Sequence, residues 1–464
     1  MIPLRLTDIA RVTGGVHHGE DVLVDGPVVT DSREAATGSL YVARVGEAAD
    51  GHAFTGGARD RGAVAALTTR PVDELPCVVV PDIQDGFAAL ARHLIDASPE
   101  LTVIGITGSS GKTSTKDLIA AVLSRRGETV ATEASFNGEV GVPLTICRIT
   151  PTTRTLVLEM GARGIGHIAY LTQVAPPRIG VVLNVGTAHV GEFGSREAIG
   201  RAKSELVREL PADGVAVLNA DDPVVAAMAE VTPARVVRFG SAPAADVRAE
   251  DVVLDDAGRA AFTLVTAQGR VPVQLGLYGE HHVSNALAAA AVALETGMPL
   301  ADVAEALTAA RPASRHRMEV HELADGVTLV NDAYNANPDS MRAALKALVA
   351  MGRGRRTWAV LGEMLELGEE STVEHDAVGR LAVRLNVSRL VVVGEGARAM
   401  DSGARQEGSW GQESTWVPDA DAAYALLQRE LEPGDVVLLK SSNAAGLRWL
   451  GDRLVGGTDS EVSS

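Results

Sequence analysis

The chain has 464 residues, 46% of them apolar and only 3% aromatic, and carries a formal charge of −18 at neutral pH. That length calls for two to four domains, and that composition excludes a disordered chain. The acidic balance excludes a general nucleic-acid binder, because its field repels a phosphate backbone; anionic small ligands then need a metal ion or a local cluster of Arg and Lys.

The opening MIPLRLTDIA lacks a basic stretch followed by an apolar core, and no run of about 18–20 apolar residues follows, so a cytoplasmic protein that does not enter a membrane is expected. Strand-like and helix-like segments alternate almost throughout, which predicts α/β architecture with mainly parallel sheets in three domains. Residues 1–99 form the first, with short strands at Leu40–Arg44, Ala63–Thr68 and Cys77–Pro81, closed at Ser98-Pro99. Cys77 and Cys147 lie in apolar runs and are read as inert buried thiols, too few for a disulfide framework or a zinc site.

Residues 100–312 open on the strand LTVIGIT and become β-rich over Val247–Leu277, with turns at Asp255–Gly258 and Gln268-Gly269. Two Ala-rich helices then lead to Arg311-Pro312. Residues 313–464 alternate VTLVND, a helix from Asp339, WAVLGE, a helix, LVVVGE, a helix, DVVLLKS and a last helix, the order of a Rossmann-like doubly wound sheet. VVVGEGARAM lacks the full GxGxxG pattern, so no dinucleotide site is expected there. The tail GGTDSEVSS is expected to be disordered.

The strongest chemical signal is GITGSSGKTSTKDLIAAVL, a glycine-rich loop from about Gly105 to Thr113 between an apolar strand and an amphipathic helix. Glycines admit backbone N–H groups to an anion, the helix N-terminus adds partial positive charge, and Lys112 adds a full one. Gly108, Ser109, Ser110, Gly111, Lys112, Thr113 and Ser114 are therefore expected to hold a nucleoside triphosphate, with the Thr113 hydroxyl on Mg²⁺. The spacing is GxxGKT rather than GxxxxGK, and no NKxD motif is present, which argues against ordinary kinases and GTPases.

Two further residues fall at strand ends beside this loop. TLVLEMGARG ends its apolar run in Glu159, and RIGVVLNVG is followed by Thr187, Ala188 and His189. In a parallel sheet both emerge at the carboxyl edge, where metal binding is favoured over a surface acid and a loop histidine. In SREAIGRAKSELVREL, Lys203 shares a helix face with Ile199 and Val207. It is either a snorkelling surface lysine or a pocket amine with a depressed pKa, able to take up CO₂ as a carbamate.

Together these residues resemble the Mur ligase family, ATP-dependent amide-bond formers of peptidoglycan synthesis. TGSSGKTSTK resembles its phosphate loop, and Glu159, His189 and Lys203 match its metal ligands and carbamylated lysine. GEHHVSNALAA resembles the family's GxHNxxNALAA, which implies that Asn285 lies near adenine; His282 stands in place of the usual Asn. RHRMEV resembles the arginine element that reaches the γ-phosphate, which implies that role for Arg317; His316 replaces the usual glycine.

NDAYNANPDSM resembles the member that adds D-alanyl-D-alanine to UDP-N-acetylmuramoyl-tripeptide, and LGEMLELGEES with His375 fits the same member. The match implies Asp332 at the nucleotide, and Asn137, Tyr334, Asn335 and Asn337 at the substrates. TDSREAATGSLYVAR with GEAADGHAF resembles its UDP-sugar region, implying Ser32, Arg33, Asp50, Gly51 and His52. The resemblance runs from about Thr7 to Arg453 and implies a monomer with two Mg²⁺ ions that closes around ATP and two small substrates. Lys112, Lys203, His189 and Arg317 are its expected catalytic groups. Another Mur-type or folylpolyglutamate-type ligase is the near alternative, and an ATP-hydrolysing switch protein the distant one.

Overall fold

A computed structural model describes residues 1–46, 49–186, 190–408 and 413–456. Three large sheets organise the chain, each drawn from one stretch of sequence. The first orders Val16–His18, Cys77–Val79, Ala63–Thr68, Ser39–Val42 and Val28–Val29, all parallel except Val16–His18. The three strands expected here are present: Ala63–Thr68 is unchanged, Cys77–Val79 ends two residues early, and Ser39–Val42 starts one residue before and ends two before the expected Leu40–Arg44.

The central sheet has nine strands. Five parallel neighbours, Val215–Asn219, Ile179–Val182, Thr102–Thr107, Thr153–Glu159 and Glu128–Ala131, form the part that carries the phosphate loop. Arg235–Gly240 and Val247–Leu254 continue it in parallel, and Arg259–Thr266 and Gly269–Tyr278 extend it as an antiparallel meander. The inner strands read as nearly unbroken apolar runs because both faces are covered. One face, with Leu156, Leu158 and Val182, shares a core with Phe87, Leu90 and Leu94 of the helix Ile83–Asp96. The other, with Ile104, Ile106 and Val181, packs on the helices Lys112–Leu123 and His282–Glu295.

The third sheet orders Glu319–Glu322, Thr328–Asn331, Val436–Lys440, Thr357–Leu361, Arg389–Val393 and Ser414–Val417. It is parallel apart from the edge strand Glu319–Glu322. Two elements depart from expectation. Glu319–Glu322 was not anticipated as a strand, and Ser414–Val417 divides what reads as one helix into Ala399–Glu407 and Ala420–Glu430. The tail 457–464 lies outside the described residues. Cys77 and Cys147 are buried free thiols, and burial raises the Cys147 pKa to about 12.

Candidate active site

The carboxyl edge of the central sheet opens into a cleft of about 870 Å³, whose far wall comes from the third sheet. The phosphate loop is tighter than Gly105–Thr113. Gly105 lies inside the strand Thr102–Thr107, where a Cβ would meet Leu206 at 2.9 Å, so its smallness serves sheet–helix packing. The loop proper is Gly108–Gly111. Gly111 has φ +79°, a left-handed turn that glycine enters without strain, and it caps the helix Lys112–Leu123. The helix start leaves its first N–H groups without intrahelical acceptors, ready for an anion.

Asn184, not anticipated from the sequence, braces this loop. Its Oδ1 accepts from the Ser110 N–H at 2.9 Å, its Nδ2 donates to the Ser110 carbonyl at 3.2 Å, and its own carbonyl accepts from the Ser109 N–H at 3.1 Å. The Ser109 hydroxyl in turn accepts from the Gly186 N–H at 2.9 Å. Lys112 folds back so that Nζ donates to the Gly108 carbonyl at 2.8 Å. Burial lowers its pKa and Arg317 adds to the effect, while Glu159 opposes both.

Glu159 ends its strand in the floor of the cleft, 2% exposed. One carboxylate oxygen accepts from the Thr113 hydroxyl at 2.9 Å and the other from Asn137 Nδ2 at 2.8 Å. A hydroxyl and a carboxylate side by side are hard oxygen donors, so the pair suits Mg²⁺. Among the described residues no three His, Cys, Asp or Glu side chains converge as a metal cluster; His189 lies outside them. Lys203 is 5% exposed and lines the cleft, so the pocket reading holds and the snorkelling one does not. Burial drives its pKa well below the usual lysine range, and the Lys112 charge pushes the same way.

The far wall supplies Arg317, Tyr334, Asn335 and Asn337. Arg317 Nη2 lies 3.4 Å from Thr113 Oγ1, and its guanidinium sits 4.5 Å over the Tyr334 ring. Both neighbours of Arg317 are left-handed, His316 at φ +57° and Met318 at +50°. His316 Nε2 donates to Asp452 at 3.0 Å, and the His316 N–H donates to Glu319. Tyr334 donates to Ser135 at 2.7 Å. Asn337 caps the helix Pro338–Met351 through its Oδ1, leaving Nδ2 to approach the Ser109 carbonyl at 3.4 Å.

Other expected residues stand away from the cleft. Asp332 does not line it: its carboxylate is taken up by Lys440 Nζ at 2.6 Å and the Met318 N–H at 3.1 Å, so it braces the Arg317 segment from behind. Asn285 lies behind Gly111, whose added Cβ would meet Asn285 Oδ1 at 2.7 Å. His282 faces a side cleft with Ser114, Leu277 and Arg317, and burial depresses its pKa well below the usual range. His375 is fully buried; it accepts from the Met364 N–H and donates to the Ser371 carbonyl, which fixes the LGEMLEL turn.

Ser32, Arg33, Asp50, Gly51 and His52 lie in two short 3-10 turns beside the first sheet and do not line this cleft. Arg33 is exposed and pairs with Asp31 at 2.8 Å. His52 is buried between Asp50, at 2.6 Å, and the Thr69 N–H, at 3.0 Å. Arg70 and then His52 hold the Asp50 carboxyl well below the usual carboxylate range. Tyr41 donates to the Gly51 carbonyl at 2.9 Å.

Comparison with known proteins finds similarity along almost the whole chain. A family model for the Mur ligase middle domain matches residues 106–293, and one for the Mur ligase, glutamate ligase domain matches 316–443. The UDP-N-acetylmuramoyl-tripeptide–D-alanyl-D-alanine ligase of Mycobacterium tuberculosis is 51% identical, over 98% of each chain. The Escherichia coli ligase of that name is 38% identical over 87% of this chain and 88% of its own. The crystal structure of MurF from Acinetobacter baumannii superposes with a TM-score of 0.88 at 32% identity, over 98% of this chain and 99% of its own. That of the Thermotoga maritima MurF ligase in complex with ADP gives 0.79 at 29%, over 93% and 98%. With both models matched and relatives this similar along almost its entire length, the chain belongs to the Mur ligase family.

Proposed function

We propose that the protein joins D-alanyl-D-alanine to UDP-N-acetylmuramoyl-tripeptide, using ATP and releasing ADP and phosphate. The observation that carries this is the 51% identity, over 98% of both chains, to ligases bearing that name. A carboxylate is a poor electrophile because oxide would have to leave. Transfer of the γ-phosphoryl group to the tripeptide's terminal carboxylate gives an acyl phosphate with a competent leaving group. The dipeptide amine then attacks the acyl carbon, loses a proton, and the C–O bond to phosphate breaks.

In this reading Gly108–Ser114 cradle the phosphates. Lys112 and Arg317, approaching from opposite walls, neutralise the transferring group. Thr113 and Glu159 hold a Mg²⁺ ion, which supplies charge neutralisation at the phosphates when bound. A second Mg²⁺ site draws on His189 and on Lys203 as a carbamate, for which the buried, uncharged-favouring setting of Lys203 is the support. Asn285 serves the adenine side, with Asp332 bracing the Arg317 segment. Asn137, Tyr334, Asn335 and Asn337 serve the reacting ends of the substrates. Ser32, Arg33, Asp50, Gly51 and His52 serve the UDP-sugar.

Residues 1–99, 100–312 and 313–464 act as three domains, and the third closes on the second. The enzyme works as a monomer in the cytoplasm. Among the described residues no helix is long and apolar enough to cross a membrane. The test is phosphate release with UDP-N-acetylmuramoyl-tripeptide and each of D-Ala-D-Ala, a diamino acid and glutamate. Release should require both substrates and prefer D-Ala-D-Ala. Full release with no acceptor, or preference for another acceptor, would overturn the reading.

A further inference from the structure

The cleft contains a cation that none of the roles above uses. Arg448 lies at the start of the helix Leu447–Gly456 and lines the far wall with Leu365, Ser442 and Asn443. Its Nε is buried with no hydrogen-bond partner, and its guanidinium pairs with no carboxylate among the described residues. The side chain is nonetheless held. Its guanidinium stacks 4.4 Å over the Trp449 ring, and its carbonyl accepts from Asn331 Nδ2 at 3.1 Å. Asn331 ends the strand that leads directly into Asp332 and Tyr334, the turn that supports Arg317. A buried guanidinium donor without an acceptor is unusual in a folded chain and calls for one from outside.

The chemistry of that acceptor follows from what else enters the cleft, given the ligase reading above, on which this inference rests. The triphosphate and the tripeptide's terminal carboxylate must meet at Gly108–Gly111, Lys112 and Arg317. The incoming dipeptide brings one anion of its own, its carboxylate. The segment Ser441–Arg448 follows the strand Val436–Lys440, at the carboxyl edge of the third sheet, where open α/β sheets take their ligands. A planar guanidinium matches a carboxylate with two parallel N–H···O bonds, which a lysine cannot reproduce. We propose that Arg448 anchors the carboxylate of D-Ala-D-Ala, turning the dipeptide's amine toward the acyl phosphate, while Trp449 fixes the plane of the guanidinium.

The test compares D-Ala-D-Ala with its C-terminal amide as acceptors, in wild type, Arg448→Ala and Arg448→Lys. Wild type should show a KM about 10- to 100-fold higher for the amide, the worth of a charged hydrogen-bonded pair. Arg448→Ala should raise the KM for D-Ala-D-Ala by a similar factor and lose the preference for carboxylate over amide, with KM for ATP and the UDP-tripeptide unchanged. Arg448→Lys should fall between. The proposal is overturned if Arg448→Ala keeps the wild-type preference, if its defect is in KM for ATP or the UDP-tripeptide, or if wild type uses both acceptors equally. That last comparison needs no variant to fold. A wild-type enzyme that ignores D-Ala-D-Ala altogether would overturn the ligase reading itself, and this proposal with it.

Discussion

At the residue scale the two buried lysines differ in what their surroundings ask of them. Lys112 has Glu159 near enough to favour its charge, whereas Lys203 has only the like charge of Lys112. Lys112→Ala should therefore lower kcat by about 100-fold or more, since it removes a full charge from the transferring phosphoryl group; single groups of this kind contribute about 3 kcal/mol in other enzymes. Its far-ultraviolet spectrum should be unchanged, and an undiminished kcat would remove the loop from the mechanism. For Lys203 the sign of the pH effect matters. An ordinary lysine is neutral only above about pH 10.4, but a strongly depressed pKa makes the free amine available at lower pH. Only the neutral amine reacts with CO₂. Activity in CO₂-free buffer should thus be low and rise on adding bicarbonate near neutral pH, and Lys203→Arg should not respond. Equal bicarbonate response in that variant would place the effect elsewhere. The GxxGKT loop and Glu159 were legible because each sits where an apolar strand gives way to a turn, whereas Lys203 lies inside a helix whose pattern left the pocket and snorkelling readings both open. Asn184 and Arg448 were not, because an asparagine after a strand and an arginine on a surface-like helix carry no local signal.

Elements were legible in proportion to how fully they are buried. VVLLK and TWAVL announce themselves because both faces of those strands are covered. Glu319–Glu322 reads EVHE, charged at both ends and half-exposed, and becomes a strand only by pairing with Thr328–Asn331. That pairing matters to the site because it follows directly on the Arg315–Met318 segment. Two consecutive-but-one left-handed residues, His316 and Met318, project Arg317 from it, and each non-glycine residue so held costs about 1 kcal/mol. Asp452, on the last helix, restrains the segment by accepting from both Arg315, at 2.8 Å, and His316. Asp452→Ala should loosen Arg317 and lower kcat about tenfold, the scale on which small misplacements act. A concurrent rise in KM for ATP is expected, with KM for D-Ala-D-Ala unmoved. An unaltered kcat would show that the last helix does not govern the arginine.

At the scale of the molecule, three sheets and their order along the chain follow from alternation of strand and helix patterns, but how they face one another does not. The cleft exists because residues far apart in sequence meet across it: Tyr334 with Ser135, Asn337 with Ser109, Arg317 with Thr113. The last two contacts are both 3.4 Å, near the limit of a hydrogen bond, and all three are polar contacts that water can replace. Gly186 lies against Asp339 and the Gly191 N–H donates to the Glu366 carbonyl, so the walls touch along a line of small residues and loops rather than a shared apolar core. The apolar clusters agree: among the described residues, those of the third sheet take only Tyr278 from the central segment. An interface of this kind gives little free energy to either arrangement, and ligand charge can decide between them. Without ligand, Lys112 and Arg317 repel one another across the cleft, and a bound triphosphate removes that repulsion. The protein should therefore be more open without ligands than with a non-hydrolysable ATP analogue and UDP-N-acetylmuramoyl-tripeptide. Small-angle scattering should show a smaller radius of gyration in the ternary complex, and Arg317→Ala should weaken that contraction, since it removes the third sheet's charge on the phosphate. An identical radius with and without ligands in wild type would mean that the walls stand fixed, and that Arg317 reaches the nucleotide without movement.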